Sequence, residues 1–289
     1  MANGDFDATV DGIRTMRIRG AAAIANAAAD AMAQAAVEGR NLEDARRALL
    51  ATRPSAVSLA NAVNYVFECS ESGEGPVADR VRRSAEDFKE YSARAREGVI
   101  ANARSLVVDY RRYLTHCNSS AVVDTFREAH RSGRRFEVFA TETRPWGQGH
   151  ITVSSLAEAG IDVTLIVDSA AGYILSSEDV SAVLFGADTI NVNGSLVNKI
   201  GTSGIAAAAH ALEIPVYVLA ETFKFAPTSI RPSIEERSSA EVLPEPIPGV
   251  RVKNPVFDVT PPGHITGIVT ENGMIAPNLA REVSFRKEA

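Results

Sequence analysis

Four short apolar runs decide the fold: FEVFAT (136–141), IDVTLIV (161–167), SAVLFG (181–186) and IPVYVLA (214–220). The segments between them, among them AVVDTFREAHRSG, HITVSSLAEAG and NKIGTSGIAAAAHALE, have the pattern of helices. Strands that are apolar along their whole length are typical of a sheet buried on both faces, and intervening helices make such strands parallel. The sequence therefore predicts an α/β fold built on a Rossmann-like, doubly wound parallel sheet.

The N-terminal third of the chain has a different pattern. Residues 5–109 contain alanine-rich and charged stretches without the alternation of strands, which indicates helices. We therefore predict a helical N-terminal domain over residues 1–110 and an α/β catalytic domain over residues 111–289. The run from Cys69 to Ala78 is rich in Ser, Gly and Pro and predicts an exposed loop between helices, in which Cys69 is an incidental thiol.

The composition narrows the classes of function. The chain has 289 residues, 45% of them hydrophobic, which is enough for a substantial core. Its formal net charge of -6 does not favour a nucleic-acid-binding surface. Its apolar runs fall short of the roughly 20 residues of a membrane-spanning helix, and its N-terminus lacks the layout of a signal peptide. We expect a cytoplasmic protein without nucleic-acid or membrane partners.

The sequence does not favour a metal or a redox cofactor. Two cysteines are too few for a disulfide framework or a cysteine-based metal site, and the five histidines lack metal-ligand spacing. A P-loop and a dinucleotide-binding fingerprint are also missing. We therefore expect chemistry that side chains carry out without a cofactor.

Two residues after predicted strands are candidates for catalysis, because parallel sheets bind ligands at the carboxyl ends of their strands. Cys117 precedes a helix that begins near Ser119, and the positive end of that helix would favour a thiolate. The alternative for Cys117 is a small buried hydrophobe. Asp188 lies in GADTINVNG and could act as an acid or base if burial raises its pKa. A turn residue or a helix cap is the alternative for Asp188.

Several basic or glycine-containing segments could bind phosphate. An arginine before Gly or Pro suits bidentate contact with phosphate, and a Gly-Ala turn that enters a helix exposes backbone N–H donors. The candidates are Arg19 with Gly20 and Ala21, Arg53, Arg144, Lys199 and Lys224. The two lysines could also be solvated side chains at loop edges. One group of candidates is N-terminal and the other lies in the α/β half, which suits a substrate with a phosphate at each end.

Over nearly its whole length the chain resembles the aldose–ketose isomerases that are related to the regulatory subunits of the eukaryotic translation-initiation exchange factor. The segments that carry the resemblance are MRIRGA, TRPSAVSLANAV, THCNSS, TETRPWGQG, VDSAA, GADTINVNGSLVNKIGT, AETFKF and NPVFDVTPP. The resemblance implies that Cys117 and Asp188 are the catalytic pair. The substrate contacts that it implies are Arg19, Gly20, Ala21, Arg53, Arg144, Gln148, Asn198, Lys199 and Lys224.

Three branches of this family have to be separated. The regulatory subunits lack the catalytic cysteine and aspartate, whereas Cys117 and Asp188 are both present here. Methylthioribose-1-phosphate isomerases usually continue the cysteine loop with a Gly-Thr-Ala type segment, whereas NSSAVVDTFREAH follows Cys117 here. AETFKFAP and GADTINVNGSLVNKIGT are more similar to the archaeal ribose-1,5-bisphosphate isomerases. The methylthioribose enzyme and a non-catalytic regulatory subunit remain the alternatives.

The archaeal branch carries further expectations. Its members convert ribose 1,5-bisphosphate to ribulose 1,5-bisphosphate during the degradation of AMP and other nucleoside monophosphates. The resemblance therefore implies a sugar phosphate substrate, AMP as a possible activator, and a homo-oligomer, either a dimer or a hexamer. One departure is Ala22, where the branch often has glycine, and its methyl group would crowd the phosphate loop.

The tail around Asp258 and its two prolines predicts a rigid segment that packs back on the sheet.

Overall fold

The computed structural model describes residues 5–71, 74–228, 234–283 and 285. Helices fill the N-terminal part, as the sequence predicts. Their bounds are α1 Phe6–Arg14, α2 Ala21–Val37, α3 Leu42–Leu50, α4 Val57–Glu71 and α5 Val77–Ala103. Within the described ranges, no helix is both long enough and apolar enough to cross a membrane.

Small side chains let these helices pack closely. Helix α2 lies at the centre of the group, and its Ala25, Ala28 and Ala35 are fully buried. Alanine favours the helix and keeps its diameter small, so that larger side chains of α4 and α5 such as Leu59 and Phe88 can fill the space around it. The resulting hydrophobic core also includes a residue of the α/β half, Phe223, which fixes the two parts of the chain to each other.

The prediction that Cys69 lies in an exposed loop is wrong, because α4 continues to Glu71 and holds Cys69 in its last turn. The loop therefore begins later than its composition indicates. Two local hydrogen-bonding groups explain the longer helix. The Ser70 hydroxyl donates to the carbonyl of Phe67 at 2.6 Å, and the Arg80 guanidinium donates twice to the carbonyl of Ser70, at 2.7 and 3.2 Å. The Arg80 bonds satisfy the Ser70 carbonyl, which a helix end otherwise leaves without a partner.

A seven-stranded sheet forms the core of the α/β half. The strands of the chain are β1 Arg112–Thr115, β2 Glu137–Thr141, β3 Asp162–Ile166, β4 Val180–Gly186, β5 Thr189–Ile190, β6 Leu196–Lys199, β7 Val216–Leu219, β8 Phe257–Thr260, β9 Gly267–Thr270 and β10 Gly273–Ile275. The order in this sheet is β10-β9-β7-β4-β1-β2-β3, and every pair is parallel except β10 with β9. The predicted α/β fold with a mostly parallel central sheet is confirmed.

The strand order reverses between β1 and β4. The chain runs from β1 outward to β2 and β3, and then returns to the other side of β1 to form β4. In the register of this central pair, Thr115 lies opposite Leu184. The loops that leave the carboxyl ends of β1 and β4 therefore flank the switch point, where open α/β sheets bind ligands.

Helices cover both faces of the sheet. Their bounds are α6 Ser120–Arg131, α7 Gln148–Glu158, α8 Ala171–Ser177 and α9 Thr202–Ala211. On one face Tyr113 and Leu184 pack with Phe126 of α6, and on the other Leu114 packs in a core that includes Ile205 of α9. Because both faces of the inner strands are buried, these strands read as continuous apolar runs, whereas the edge strand β3 is mostly exposed.

A second, antiparallel sheet corrects one element of the sequence prediction. Its order is β5-β6-β8, and it places Asn198 opposite Asp258. Asn198 and Lys199 thus belong to a strand and not to the helical segment in which the sequence pattern placed them. Their partner strand comes from the C-terminal tail, so local sequence carries little sign of the pairing. The Asp258 carboxylate then accepts from the backbone N–H groups of Gly201 and Ser203 at the start of α9.

Candidate active site

Cys117 lies in the first loop of the switch point, just beyond the end of β1. Its backbone has a φ of 67°, in the left-handed region that non-glycine residues seldom occupy. Two threonines hold it there: the Cys117 N–H donates to Thr143 Oγ1 at 2.9 Å, and Thr152 Oγ1 donates to the Cys117 carbonyl at 2.9 Å. This backbone conformation is therefore stabilised from both sides, as is common at functional sites.

The expectation of a thiolate at Cys117 is wrong. Burial raises the pKa of the Cys117 thiol to about 11, and this effect outweighs the positive charge of Lys199, which lowers the pKa. The carboxylates of Asp188 and Asp168 raise it further. Helix α6 begins at Ser120, with Ser119 as its N-cap, so Cys117 lies before the helix rather than on its first turn. Cys117 is consequently a protonated thiol at neutral pH.

Asp188 lies on the other side of the switch point, after the end of β4. Its backbone N–H donates to the carbonyl of Val197, which fixes the loop to the small antiparallel sheet. Burial raises the pKa of its carboxyl, while the charges of Lys199, Lys224 and Arg53 lower it. Burial dominates, so the carboxyl exchanges its proton at a higher pH than an exposed aspartate does.

The two loops approach each other closely, because a glycine stands where β4 ends. A Cβ built on Gly186 would lie 2.3 Å from Ser119 Oγ, in the loop that follows Cys117. Any side chain at this position would push the β1 loop away. Gly186 therefore allows the contact that brings the Cys117 and Asp188 loops together.

A small cavity next to Asp188 collects polar groups from the helical part and from the sheet. Arg53, Ser55 and Ser58 line it on the helical side, and Asp188 lines it on the sheet side. The other lining residues are Ala21, Ile24, Ala56, Val197 and Phe257. Because Ala21 is the first residue of α2, the positive end of a 17-residue helix contributes to this cavity.

Lys199 lines a second cavity, and its neighbour Phe257 lines the first. The second cavity is lined by Lys199, Gln148, Trp146 and Arg237, among others. Lys199 Nζ lies 5.4 Å from the ring centroid of Phe257 and 5.9 Å from that of Trp146. The side chain is buried, yet among the described residues it has no carboxylate partner within ion-pair distance. Its positive charge is thus available to an anion.

Further cations lie around Trp146. The guanidinium carbon of Arg19 is 4.5 Å from the ring centroid, and that of Arg237 is 4.6 Å away. Arg237 is paired with Glu241 at 2.7 Å, whereas the guanidinium of Arg19 is exposed. Cation–π contact of this kind holds a guanidinium in place without neutralising its charge.

The structure does not bring every predicted contact to the cavities. Arg144 is exposed, and its backbone N–H donates to the Asp168 carboxylate at 2.7 Å. Asn198 is buried, but its amide donates to Thr202 Oγ1, so it supports the start of α9. Gly20 forms the N-cap of α2 with a φ of 87° and lies beside the first cavity without lining it.

Lys224 approaches the site from a loop that the helical part holds. Its Nζ lies 2.6 Å from Glu221 Oε2, and both side chains are buried. The side chain of Asn61 in α4 donates to the carbonyls of Phe223 and Phe225 on either side of Lys224, at 2.9 and 3.1 Å. The charge of Lys224 reaches Asp188, whose pKa it lowers.

Buried His116, next to Cys117, does not act as a charged group. Its Nε2 lies 2.8 Å from the carbonyl of Ile200, which can only accept, so Nε2 carries the proton. Its Nδ1 then accepts from the hydroxyl of Thr141 at 2.6 Å. Burial lowers the pKa of His116, which keeps the ring neutral. The ring therefore joins β1, β2 and the start of α9 in a fixed arrangement.

Some residues of the site were not singled out from the sequence. Trp146, Ser55, Ser58 and Phe257 lie within the motifs TETRPWGQG, TRPSAVSL and NPVFDVTPP, so those motifs contained a signal for them. Glu235 pairs with Arg53, and its segment between β7 and β8 carried no such signal. Across the part of the chain that the structure describes, no group of three or more His, Cys, Asp or Glu side chains could hold a metal ion.

This fold, with a cysteine and an aspartate at the switch point among cations, defines a class of protein. Residues 10–277 match the initiation factor 2 subunit family, and the chain belongs to that family. The resemblance drawn from the motifs is thereby confirmed.

Relatives and a solved structure place the chain more closely. The ribose 1,5-bisphosphate isomerase of Archaeoglobus fulgidus is 46% identical over 279 residues, covering 93% of this chain and 88% of that protein. The methylthioribose-1-phosphate isomerase of Geotalea daltonii is 36% identical, covering 96% of this chain and 89% of that protein. The crystal structure of translation initiation factor eIF-2B from Pyrococcus horikoshii OT3 matches with a TM-score of 0.84 and 29% identity, covering 96% of this chain and 98% of that one.

Proposed function

We propose that this chain converts ribose 1,5-bisphosphate to ribulose 1,5-bisphosphate. The chain is an aldose–ketose isomerase that acts on a phosphorylated ribose, the activity that the names of both groups of isomerase relatives describe. One observation carries the choice of a doubly phosphorylated substrate. Asp188 lies within electrostatic reach of three cations, Arg53, Lys199 and Lys224, which come from different parts of the fold.

Two groups of phosphate-binding donors suit the two phosphates. We assign one phosphate to Gly20, Ala21 and Arg53, where the first-turn N–H groups of α2 have no partners within the helix. We assign the other phosphate to Lys199 with Gln148, and place Arg19, Arg144 and Lys224 around them as further positive charge. Asn198 acts from behind this group, because it fixes Thr202 next to the Lys199 strand.

Asp188 and Cys117 divide the proton transfers. The bond between C1 and the ring oxygen breaks as the Asp188 carboxyl gives its proton to that oxygen. C2 loses its hydrogen as a proton, C1 gains a proton, and the C2 hydroxyl loses its proton to become the carbonyl of the ketose. We assign the exchange at the carbons to Cys117 and the exchange at the oxygens to Asp188, while the phosphate stays on C1.

The raised pKa values fit these roles. A carboxyl whose pKa burial has raised can hold a proton until the ring oxygen needs it. The Cys117 thiol, whose pKa is about 11, first loses its proton to water, and the thiolate then takes the proton from C2 and returns it to C1. Lys199 lowers the pKa of both groups, so its charge eases the loss of each proton.

The helical part supplies one wall of the site. Arg53, Ser55 and Ser58 reach the Asp188 cavity from the segment between α3 and α4 and from α4 itself. Exclusion of water from this region would strengthen each electrostatic contact with the substrate. We therefore propose that the helical domain, residues 1–110, serves as a lid on the catalytic domain, residues 111–289.

We further propose a cytoplasmic homo-oligomer that is activated by AMP and that works in the degradation of nucleoside monophosphates. An exposed apolar group at the edge strand β3 supports assembly through the α/β half: Ile151, Leu165, Val167 and Tyr173 are between 41% and 69% exposed. Patches of this kind on a sheet edge favour contact between protein chains. AMP activation and the pathway rest on the family resemblance.

The second candidate substrate is 5-methylthioribose 1-phosphate, because methylthioribose-1-phosphate isomerases are relatives at 36% identity. Steady-state turnover of both sugars by the purified chain, with and without AMP, separates the two. We expect a much higher kcat/KM for the bisphosphate, since the methylthio sugar leaves one group of cations without a phosphate. A preference for the methylthio sugar would contradict the proposal. Turnover of neither sugar would favour the non-catalytic, regulatory alternative.

A further inference from the structure

Arg53 has an unusual environment for a cation. Its side chain is only 5% exposed, and its Nε donates to Glu235 Oε1 at 2.9 Å. Its Nη1 is buried and has no hydrogen-bond partner among the described residues. A buried guanidinium donor without a partner is costly, which indicates that this donor is kept for a ligand atom.

Glu235 is held in place from several sides. Its Oε1 also accepts from Ser55 Oγ at 2.7 Å, and its backbone carbonyl accepts from the N–H of Val256. Its side chain is 22% exposed, so solvent screens its charge only in part. Arg53 and Ser55 both line the Asp188 cavity, and one carboxylate oxygen of Glu235 therefore joins two residues of its wall.

The negative charge of Glu235 also reaches the catalytic carboxyl. It raises the pKa of Asp188, whereas Arg53, Lys199 and Lys224 lower it. Its neighbour Glu236 differs in each respect, because it is exposed and pairs with Lys253, whose side chain is 82% exposed. The two adjacent glutamates thus provide a matched pair for a test.

We propose that Glu235 is a positioning residue for the isomerase, and that it holds the Arg53 guanidinium by Nε so that Nη1 is left to bind a phosphate oxygen of the substrate. This inference rests on the proposed function, because the substrate supplies the phosphate. Arg53 touches substrate, and Glu235 acts through it. A guanidinium fixed in this way loses less freedom on binding, which strengthens the hold on the phosphate.

The test compares Glu235→Ala, Glu235→Gln and the control Glu236→Ala, with ribose 1,5-bisphosphate as substrate. In Glu235→Ala we expect KM to rise roughly tenfold or more, because a charge-assisted hydrogen bond is lost, while kcat at its best pH stays within about threefold. Glu235→Gln keeps an acceptor for Arg53 and should raise KM by less than about threefold. Glu236→Ala should behave as the wild type.

Two readouts separate positioning from mere support of the fold. Glu235→Ala should have less than about a twofold effect on KM in a chain that already carries Arg53→Ala, since the interaction is then gone. The limb of the pH–rate profile that Asp188 governs should move to lower pH in Glu235→Ala and in Glu235→Gln, because both variants lose a negative charge. Equal KM effects with and without Arg53, or an unmoved limb in the folded Glu235→Gln chain, would overturn the proposal.

Failure of the proposed function would be visible separately. If the wild-type chain turns over neither sugar phosphate, calorimetric titration with ribose 5-phosphate tests Glu235 by itself. Binding at least about tenfold weaker in Glu235→Ala than in Glu236→Ala would support the positioning role. Equal binding by the two variants would overturn it.

Discussion

Replacement of Asn61 by alanine should loosen the loop that presents Lys224. The Asn61 amide donates to the carbonyls of Phe223 and Phe225, at 2.9 and 3.1 Å. Each such bond contributes about 1 kcal/mol net, so the loss of both costs about 2 kcal/mol. If the whole of this free energy is lost from the ordering of the Lys224 loop, phosphate binding weakens by about 30-fold, which is the upper limit. We expect KM for the bisphosphate to rise within that limit, with a smaller change in kcat.

Urea denaturation and steady-state kinetics of Asn61→Ala check both parts of this prediction. The free energy of unfolding should fall by about 2 kcal/mol. Asn64→Ala is the matched control, because Asn64 lies one turn further along α4 and accepts from Arg46, away from the Lys224 loop. It should leave KM unchanged. If Asn61→Ala keeps both the wild-type stability and the wild-type KM, the helical part does not hold Lys224 in the way described.

Three further predictions concern the switch point. Iodoacetamide should alkylate Cys117 at neutral pH about 100-fold or more slowly than free cysteine, because a pKa of about 11 leaves little thiolate, and mass spectrometry of the modified peptide measures this. Lys199→Met removes a positive charge that lowers the pKa values of Cys117 and Asp188. It should therefore slow the alkylation of Cys117 further and move the limb of the pH–rate profile that Asp188 governs to higher pH. An unchanged alkylation rate and an unmoved limb would contradict this role of Lys199. Gly186→Ala should lower kcat roughly tenfold or more, because the added methyl group displaces Ser119. Ser119→Gly in the same chain should restore part of the lost kcat, and circular dichroism checks that both variants fold. A wild-type kcat in the single variant would refute the close contact between the two loops.

The sequence was sufficient to predict the parallel strands β1 to β4 and β7 of the central sheet, but not β9 or the antiparallel β10. The inner strands are buried on both faces, so their apolar runs are visible without knowledge of their partners, whereas the edge strand β3 is mostly exposed. The rule that ligands bind at the carboxyl ends of parallel strands singled out the loops of Cys117 and Asp188, whereas the reversal of strand order between β1 and β4 is seen only in the structure. The residue pattern therefore made both residues candidates, and their assignment as a catalytic pair came from the family resemblance.

The small antiparallel sheet was not predictable in the same way. Strand β6 pairs with β5 and with β8, and β8 comes from far along the chain. Its residues Asn198 and Lys199 look locally like the beginning of the helix that follows. Pairing between distant segments depends on tertiary packing, which no local propensity reveals. The end of α4 beyond Cys69 was hidden for a related reason, because Arg80 of the next helix satisfies the carbonyl of Ser70 in its last turn.

The electrostatics of the site also needed the structure. The sequence places Cys117 before a helix and so favours a thiolate, but the burial that reverses this expectation depends on how the loops pack. The same holds for Glu235, whose segment has no regular secondary structure and whose carboxylate is brought to Arg53 only by the folded chain. Charges that meet across such a distance in sequence leave no local pattern.

Phosphorus NMR of ribose 1,5-bisphosphate with the wild-type chain, Cys117→Ser and Asp188→Asn tests the central claim most directly. In the wild type we predict that the signal of the phosphate on C1 of the aldose gives way to that of ribulose 1,5-bisphosphate, with no inorganic phosphate released. Both variants should fold and should convert the substrate about 100- to 10,000-fold more slowly, because each lacks one proton-transfer group. No conversion by the wild type, or near-normal conversion by either folded variant, would contradict the account.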